Sequence, residues 1–353
     1  MTNATETEPH ITHEPAPTGR EAQILPAAGD QAGILLPAAE KHEKAHDMLR
    51  AMFIGLSSSK SMRAFAERSP MGQAMSKRFV AGNTVADGVR VTKELNARGI
   101  AVTIDNLGEN VTNIDEARES ANLYHQMIDE IVNGGLTCNV SLKLTHMGMD
   151  VDEMLARELV SGLVDHAARV DSFVRVDMEG SPYTQKTLDL VLDLHARPGH
   201  QGRVGTVIQA YLFRSEKDVQ ELLAKGIRIR LCKGAYKEPG DIAFQAKSDV
   251  DKNYVKLTQT LLKSGVYHGI ATHDERIIEE TKAFATREKI DRDSFEFQML
   301  YGIRRDLQEK LVKDGWRMRV YVPFGTEWYP YFMRRLAERP ANAFFIAKNL
   351  LRK

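Results

Sequence analysis

From residue 85 onward, short apolar runs alternate with amphipathic runs of helical length, and this alternation restricts the possible folds more than any other feature of the chain. A helix over Val85–Arg98 ends at Gly99. Strand-like runs follow at Ala101–Asp105, Cys138–Leu144, Phe173–Met178, Thr206–Tyr211, Ile227–Leu231, Gly269–Thr272, Phe295–Leu300 and Arg319–Val322. Helical segments fill the intervals, at Asn113–Asn133, Val151–Ala168, Gln185–His195, Glu216–Lys225, Lys252–Lys263, Glu275–Arg287 and Arg304–Val312. The strand-like runs read as near-continuous apolar stretches, as in a parallel sheet covered by helices. About eight repeats over roughly 240 residues match the size and rhythm of a (β/α)8 TIM barrel. The competing α/β architecture, a doubly wound open sheet, is disfavoured because no Gly-x-Gly-x-x-Gly follows the first strand.

Outside the repeats the chain changes character. Residues 1–40 are rich in Ala, Pro, Glu, Thr and Gly without periodicity, and are expected to form a disordered tail. Residues 41–98 are expected to be N-terminal helices, broken at Pro70-Met-Gly72, and residues 99–353 the catalytic barrel. Over residues 41–80 Met48, Met52, Leu56, Met62, Phe65, Met75 and Phe79 recur at helical spacing among Lys and Arg. Such a surface usually caps a core, and less commonly rests on a membrane. With 48 basic and 48 acidic residues the formal charge is zero, which argues against a nucleic-acid partner. Cys138 and Cys232 sit in apolar runs and read as buried thiols of a reducing compartment. No apolar run is long enough to span a bilayer, and no signal peptide or mitochondrial presequence is recognisable, so the expected location is the cytoplasm.

In a barrel of this kind the chemistry is built at the C-terminal ends of the strands. Those ends carry Asp105-Asn-Leu-Gly-Glu109, Lys143, Asp177, Gln209, Arg230 with Lys233-Gly-Ala235 and Tyr236 beyond it, Thr272-His273-Asp274, Gln298-Met-Leu300-Tyr301-Gly302 and Tyr321. A single charged side chain in an apolar strand is usually a satisfied core ion pair. Five or six at equivalent ends of successive strands point to a shared site, rich in cationic donors and suited to an anionic cofactor and a small carboxylate. Lys143 is also where a Schiff base would form in a barrel aldolase. The His and Cys residues lack metal-ligand spacing, so no metal is expected, and no Gly-x-Ser-x-Gly elbow is present.

After the last strand, Pro323 and Gly325 stop the run and Pro330 suits the first turn of a helix. Tyr331, Arg334, Arg335 and Glu338 then fall at i, i+3, i+4 and i+7 and share one face. Two adjacent guanidinium forks suit bidentate recognition of a carboxylate. Taken alone, the commoner reading is a solvated face bridged to Glu338.

Together, Arg-Leu-Cys-Lys-Gly-Ala-Tyr (230–236), Ala-Thr-His-Asp (271–274), Phe-Gln-Met-Leu-Tyr-Gly (297–302), Asp-x-Leu-Gly-Glu (105–109) and Tyr-x-Pro-x-Gly with Tyr-x-x-Arg-Arg-x-x-Glu (321–338) resemble the proline dehydrogenase family. Arg-Phe-Val-Ala-Gly-Asn-Thr (78–84) resembles that family's entry into the barrel. The resemblance implies a distorted (β/α)8 barrel of the single-function bacterial form, holding FAD non-covalently. It implies oxidation of L-proline to Δ1-pyrroline-5-carboxylate by hydride transfer, with electrons passed to a membrane quinone. By position, it implies that Arg334, Arg335 and Lys143 hold the proline carboxylate and that Asp177 orients the cationic groups. Tyr321, Leu300, Tyr236 and Tyr331 would form the slot around the substrate ring. Arg230 would reach the flavin near N5 and Gln209 would bond the flavin ring. Thr272, His273, Lys247, Gly234 and Ala235 would touch the ribityl–phosphate–adenosine part. Glu109 would pair with Arg334 in the open pocket, and Glu338 would hold the arginine face in register. The implied quinone, with the amphipathic 48–80 segment and the basic apolar tail Phe344–Lys353, suggests peripheral contact with the inner face of the plasma membrane.

Overall fold

The computed structural model describes residues 59–338 apart from Glu109, together with Gly55; the side chains at positions 60, 71, 75 and 334–338 lie outside that description. The expected tail over residues 1–40, the helical reading of residues 41–54 and the tail Phe344–Lys353 also fall outside it. All described residues belong to one compact unit.

Eight parallel strands close a barrel in chain order: β1 (Ala101–Asn106), β2 (Cys138–Leu142), β3 (Val174–Val176), β4 (Val204–Gln209), β5 (Arg228–Cys232), β6 (His268–Ala271), β7 (Phe295–Leu300) and β8 (Met318–Phe324). Closure is made by β1 against β8, in register from Ala101 with Arg319 to Asn106 with Phe324. Two short helices, α1 (Lys60–Arg68) and α2 (Pro70–Phe79), come first, and α3 (Val85–Asn96) leads into β1. The barrel helices are α4 (Ile114–Asn133), α5 (Glu153–Arg169), α6 (Ser181–Ala196), α7 (Ser215–Ala224), α8 (Lys247–Lys263), α9 (Glu275–Arg287) and α10 (Arg305–Lys313). A last helix, α11 (Trp328–Glu338), follows β8. Each expected strand and helix of the repeats is present; Phe295–Leu300 and Glu275–Arg287 have the expected ends, and the others are shifted by a few residues.

Local chemistry sets the boundaries. Ser69 ends α1 and its hydroxyl caps α2, whose first position is Pro70. Thr84 and Asp87 form a reciprocal capping box at the start of α3. Asn113 caps α4 by accepting from Glu116 N at 2.9 Å.

One expectation is corrected. The strands are not near-continuous apolar runs but alternate, with each face meeting a different environment. Val102, Ile104, Val140, Leu142, Val174, Val176, Ile229, Leu231, Val320 and Val322 lie in the apolar core beneath the helices. The intervening positions carry Thr103, Asp105, Asn139, Ser141, Arg175, Arg230, Glu296, Gln298, Arg319 and Tyr321. Several of these bond to strands that are not their neighbours. Arg230 on β5 reaches Gln298 on β7, Arg175 on β3 reaches the Arg228 carbonyl on β5, and Tyr321 on β8 reaches Asp177 just beyond β3. Bonds that skip a strand must run through the lumen, so this barrel has a polar interior. A continuous apolar run and an apolar–polar alternation differ at only two or three positions of a five-residue strand, which is why the sequence pattern misleads.

A second apolar cluster joins α2 and the β1–α4 loop to α11: Phe79, Val80, Leu107, Trp328, Tyr329, Tyr331, Phe332 and Met333. The Phe79 and Phe332 rings stand 5.5 Å apart. Arg63 on α1 makes a two-pronged pair with Glu327, at 2.8 Å on each prong, and donates to the Thr326 carbonyl at 3.1 Å. The N-terminal helices therefore brace α11 beside the C-terminal end of β1.

Candidate active site

The polar ends of the strands converge at the mouth of the barrel. Lys143, one residue past β2, pairs with Asp105 on β1 at 3.3 Å, and the buried Tyr124 hydroxyl of α4 donates to the other Asp105 oxygen at 2.9 Å. Beside them Asp177 gathers three donors: Ser141 Oγ at 2.6 Å, Arg230 Nη1 at 2.8 Å and Tyr321 OH at 3.1 Å. The Arg230 guanidinium also lies over the Tyr321 ring, 5.1 Å from its centroid, and donates from Nε to Gln298 at 2.7 Å. Leu300, at the end of β7, stands in register with Tyr321.

Burial dominates the electrostatics. It raises the Asp105 carboxyl above its usual value, the Lys143 ammonium pulling the other way and Asp177 adding to the rise. Burial and the facing Asp105 and Asp177 carboxylates push the Tyr321 phenol well up, against the Arg230 charge. Tyr321 therefore stays protonated and acts as a donor to Asp177. The result is a cluster in which two cations, Lys143 and Arg230, are held in place by two carboxylates and an aromatic face.

The β4–β7 side of the rim is built differently. Gln209 donates to the Glu179 carbonyl at 3.0 Å, and the Glu179 side chain accepts from Thr145 N and Oγ1 at 3.1 and 2.6 Å. Gly234 has a φ of 117°, and a Cβ there would stand 2.4 Å from the Tyr211 ring, so this backbone needs glycine on both counts. Ala235 follows it, and Tyr236 is exposed beyond. Lys233 pairs with Asp251 at 2.5 Å and Asp274 at 3.0 Å, and Lys247 and Arg276 also pair with Asp251. Thr272 Oγ1 accepts from Asp274 N at 3.1 Å, and His273 Nε2 accepts from Leu300 N at 3.0 Å. A neutral His273 that accepts at Nε2 carries its proton on Nδ1.

The expected residues thus fall into two groups on one rim. Lys143, Asp177, Arg230 and Tyr321 belong to the cluster at the barrel mouth, with Leu300 in register with Tyr321. Gln209, Gly234, Ala235, Lys247, Thr272 and His273 line the arc over β4 to β7. Tyr331 is buried in the cluster that seats α11. Arg334, Arg335 and Glu338 are carried by α11 with their side chains outside the described residues, and Glu109 lies outside them altogether. Among the described residues no group of three His, Cys, Asp or Glu could hold a metal ion.

The sequence names Gln298 among the strand-end residues but gives no signal for Ser141, Tyr124, Glu296 or Arg319 as site residues. Ser141 is within reach of the same argument: it sits two positions before Lys143, so a period of two places it on the face of a residue already chosen. Tyr124 gave no such signal, because it comes from a helix and reads as an ordinary core aromatic.

Comparison with known proteins identifies the family of the chain. The family profile described as "Proline dehydrogenase" matches residues 89–348. Proline dehydrogenase 2 of Bacillus subtilis (strain 168) is 42% identical over 304 residues, spanning 86% of this chain and 99% of that protein. Proline dehydrogenase of Deinococcus radiodurans is 40% identical over 281 residues, spanning 79% of this chain and 90% of that one. Among solved structures, proline utilization A from Bdellovibrio bacteriovorus superposes with a TM-score of 0.73 at 23% identity. That match covers 84% of this chain but only 37% of the longer protein, and at this identity it speaks for the fold alone. With a family match over most of the barrel and relatives of similar length, the chain belongs to the proline dehydrogenase family.

Proposed function

We propose that this protein oxidises L-proline to Δ1-pyrroline-5-carboxylate, with FAD as the bound acceptor and a quinone as the final one. The observation that carries the reading is the cluster of Asp105, Lys143, Asp177, Arg230 and Tyr321 across the mouth of a barrel in a chain of this family.

The β4–β7 arc fits an anionic dinucleotide by its chemistry. Three cations, Lys233, Lys247 and Arg276, surround two carboxylates, Asp251 and Asp274, which leaves one positive charge over. The glycine at 234 lets the backbone approach closely where a side chain would not fit. Gln209, Arg230, Gly234, Ala235, Lys247, Thr272 and His273 would hold the cofactor. FAD, when bound, supplies a two-electron acceptor for the hydride that leaves C5 of proline.

The chain's own residues bind and orient. Lys143 presents an ammonium to the substrate carboxylate, joined in this proposal by Arg334 and Arg335 of α11. Tyr321, Leu300, Tyr236 and Tyr331 give the pyrrolidine ring apolar walls. Asp177 fixes the direction of Arg230 and Tyr321, so that the ring stacks in one orientation rather than several. The quinone step and a peripheral membrane contact are supported by apolar side chains exposed on α1 and around the mouth, among them Phe65, Met154 and Phe213. Among the described residues no helix is long and apolar enough to cross a membrane.

The test is product identity. Incubated with L-proline and a soluble quinone, the enzyme should yield one equivalent of cyclic imine per quinone reduced, trapped with an aromatic amino-aldehyde. Quinone reduction without imine, or no turnover by flavin-loaded enzyme, contradicts the proposal.

A further inference from the structure

Strand β7 carries a buried amide whose two ends are both committed. Gln298, 4% exposed, accepts at Oε1 from Arg230 Nε at 2.7 Å and donates from Nε2 to Glu296 Oε1 at 2.7 Å. A guanidinium only donates and a carboxylate only accepts, so the amide has a single allowed orientation. Glu296 is held in turn, accepting from Arg319 Nε at 2.6 Å and from Tyr267 OH at 2.8 Å.

To reach Arg230 on β5, Gln298 must pass across β6. The residue it passes is Gly269. A Cβ at that position would stand 2.3 Å from Gln298 Nε2 and 2.7 Å from its Cδ. Gly269 is not among the glycines with positive φ, so any L-residue could adopt its backbone. What glycine supplies there is clearance for the amide. Two independent features, the fixed amide and the cleared strand, thus serve one contact.

That contact matters because of what lies at the other end of Arg230. Its Nη1 rests on Asp177 and its plane covers the Tyr321 ring. A guanidinium held at one nitrogen alone can swivel about that bond. A second hydrogen bond at Nε, on another edge of the fork, fixes the plane.

We propose that Gln298, anchored by Glu296 and cleared by Gly269, is a positioning residue that sets the plane of the Arg230 guanidinium in the pocket. The proposal rests on the proline-oxidising, flavin-binding reading above. It acts through Arg230 and touches neither substrate nor cofactor itself.

The deciding experiment compares flavin-loaded wild type, Gln298→Met and Gly269→Ala. Methionine keeps the volume of Gln298 and removes both hydrogen bonds; alanine at 269 keeps every polar group and displaces the amide. In both variants kcat should fall by about tenfold or more, the effect of misplacing one group at a reacting centre, with KM for L-proline within about twofold. The flavin midpoint potential should shift downward, because the cation no longer faces the place where negative charge gathers on reduction. Melting temperature reports any purely structural damage. Both variants with unchanged kcat and potential overturn the proposal, as does a rise in KM with kcat intact. Should Gln298→Met fail to load flavin, Gly269→Ala decides alone. A wild type that L-proline does not bleach refutes the functional reading instead, so the two failures are distinguishable.

Discussion

Asp177 accepts hydrogen bonds from Ser141 on β2, Arg230 on β5 and Tyr321 on β8, so one carboxylate ties together three widely separated parts of the barrel. Arg230 is 7% exposed, and removing its partner leaves a charge that water reaches poorly. Asp177→Ala should therefore cost about 3–5 kcal/mol of unfolding free energy, read by urea denaturation; a loss under about 1 kcal/mol would mean that Arg230 finds other partners. Asp105 behaves differently. Its raised carboxyl binds a proton more tightly in the folded than in the unfolded chain. Its stabilising contribution is full below the unfolded value of about 4 and is lost as pH rises through the folded value. Asp105→Asn keeps an acceptor for Tyr124 but cannot ionise, so it should gain stability relative to wild type as pH rises from about 4 to 7. A difference in unfolding free energy that does not change with pH contradicts this. At this scale the sequence reveals residues whose type is costly in a strand, such as Lys143, Asp177 and Arg230. It hides partners such as Tyr124, whose role depends on which helix lies behind which strand.

Two glycines in the strands show how elements shape the lumen. Gly269 on β6 lets Gln298 pass, and Gly205 on β4 lets Arg175 pass, since a Cβ at 205 would stand 2.3 Å from the Arg228 carbonyl oxygen and 3.1 Å from Arg175 Nη1. Neither was legible as clearance in the sequence, where glycine in a strand reads as a bulge or a weak point. The elements themselves were legible, because caps such as Thr84 with Asp87 and breaks such as Ser69-Pro70 are written in adjacent residues. Helix α11 is the element with most riding on its placement, since it carries Arg334 and Arg335. Its start is tied down by the Arg63–Glu327 pair, which is partly exposed and so worth little to overall stability. Glu327→Ala should change unfolding free energy by less than about 1 kcal/mol yet raise KM for L-proline severalfold. Steady-state kinetics beside a denaturation curve checks both halves, and an unchanged KM would detach α11 from substrate binding.

At the scale of the whole molecule, the barrel departs from the usual apolar filling of its interior. Its outer layer is an ordinary aliphatic seam under the helices, and stability resides there. Its lumen is a column of charges and amides running from Arg319 and Glu296, through Gln298 and Arg230, to Asp177 and Tyr321. The number of repeats made the barrel legible, and the position of the costly residues at strand ends made the polar cluster at its rim legible. The column beneath was not, because whether Glu296 and Arg319 meet depends on barrel closure and register rather than on spacing along the chain. The central claim is that this rim holds L-proline against a flavin. It is tested most directly by recording the visible spectrum of the purified protein under anaerobic conditions before and after adding L-proline. The account predicts a yellow protein whose flavin band bleaches with L-proline and not with D-proline. A colourless protein after incubation with FAD, or a flavin band untouched by L-proline, would contradict it.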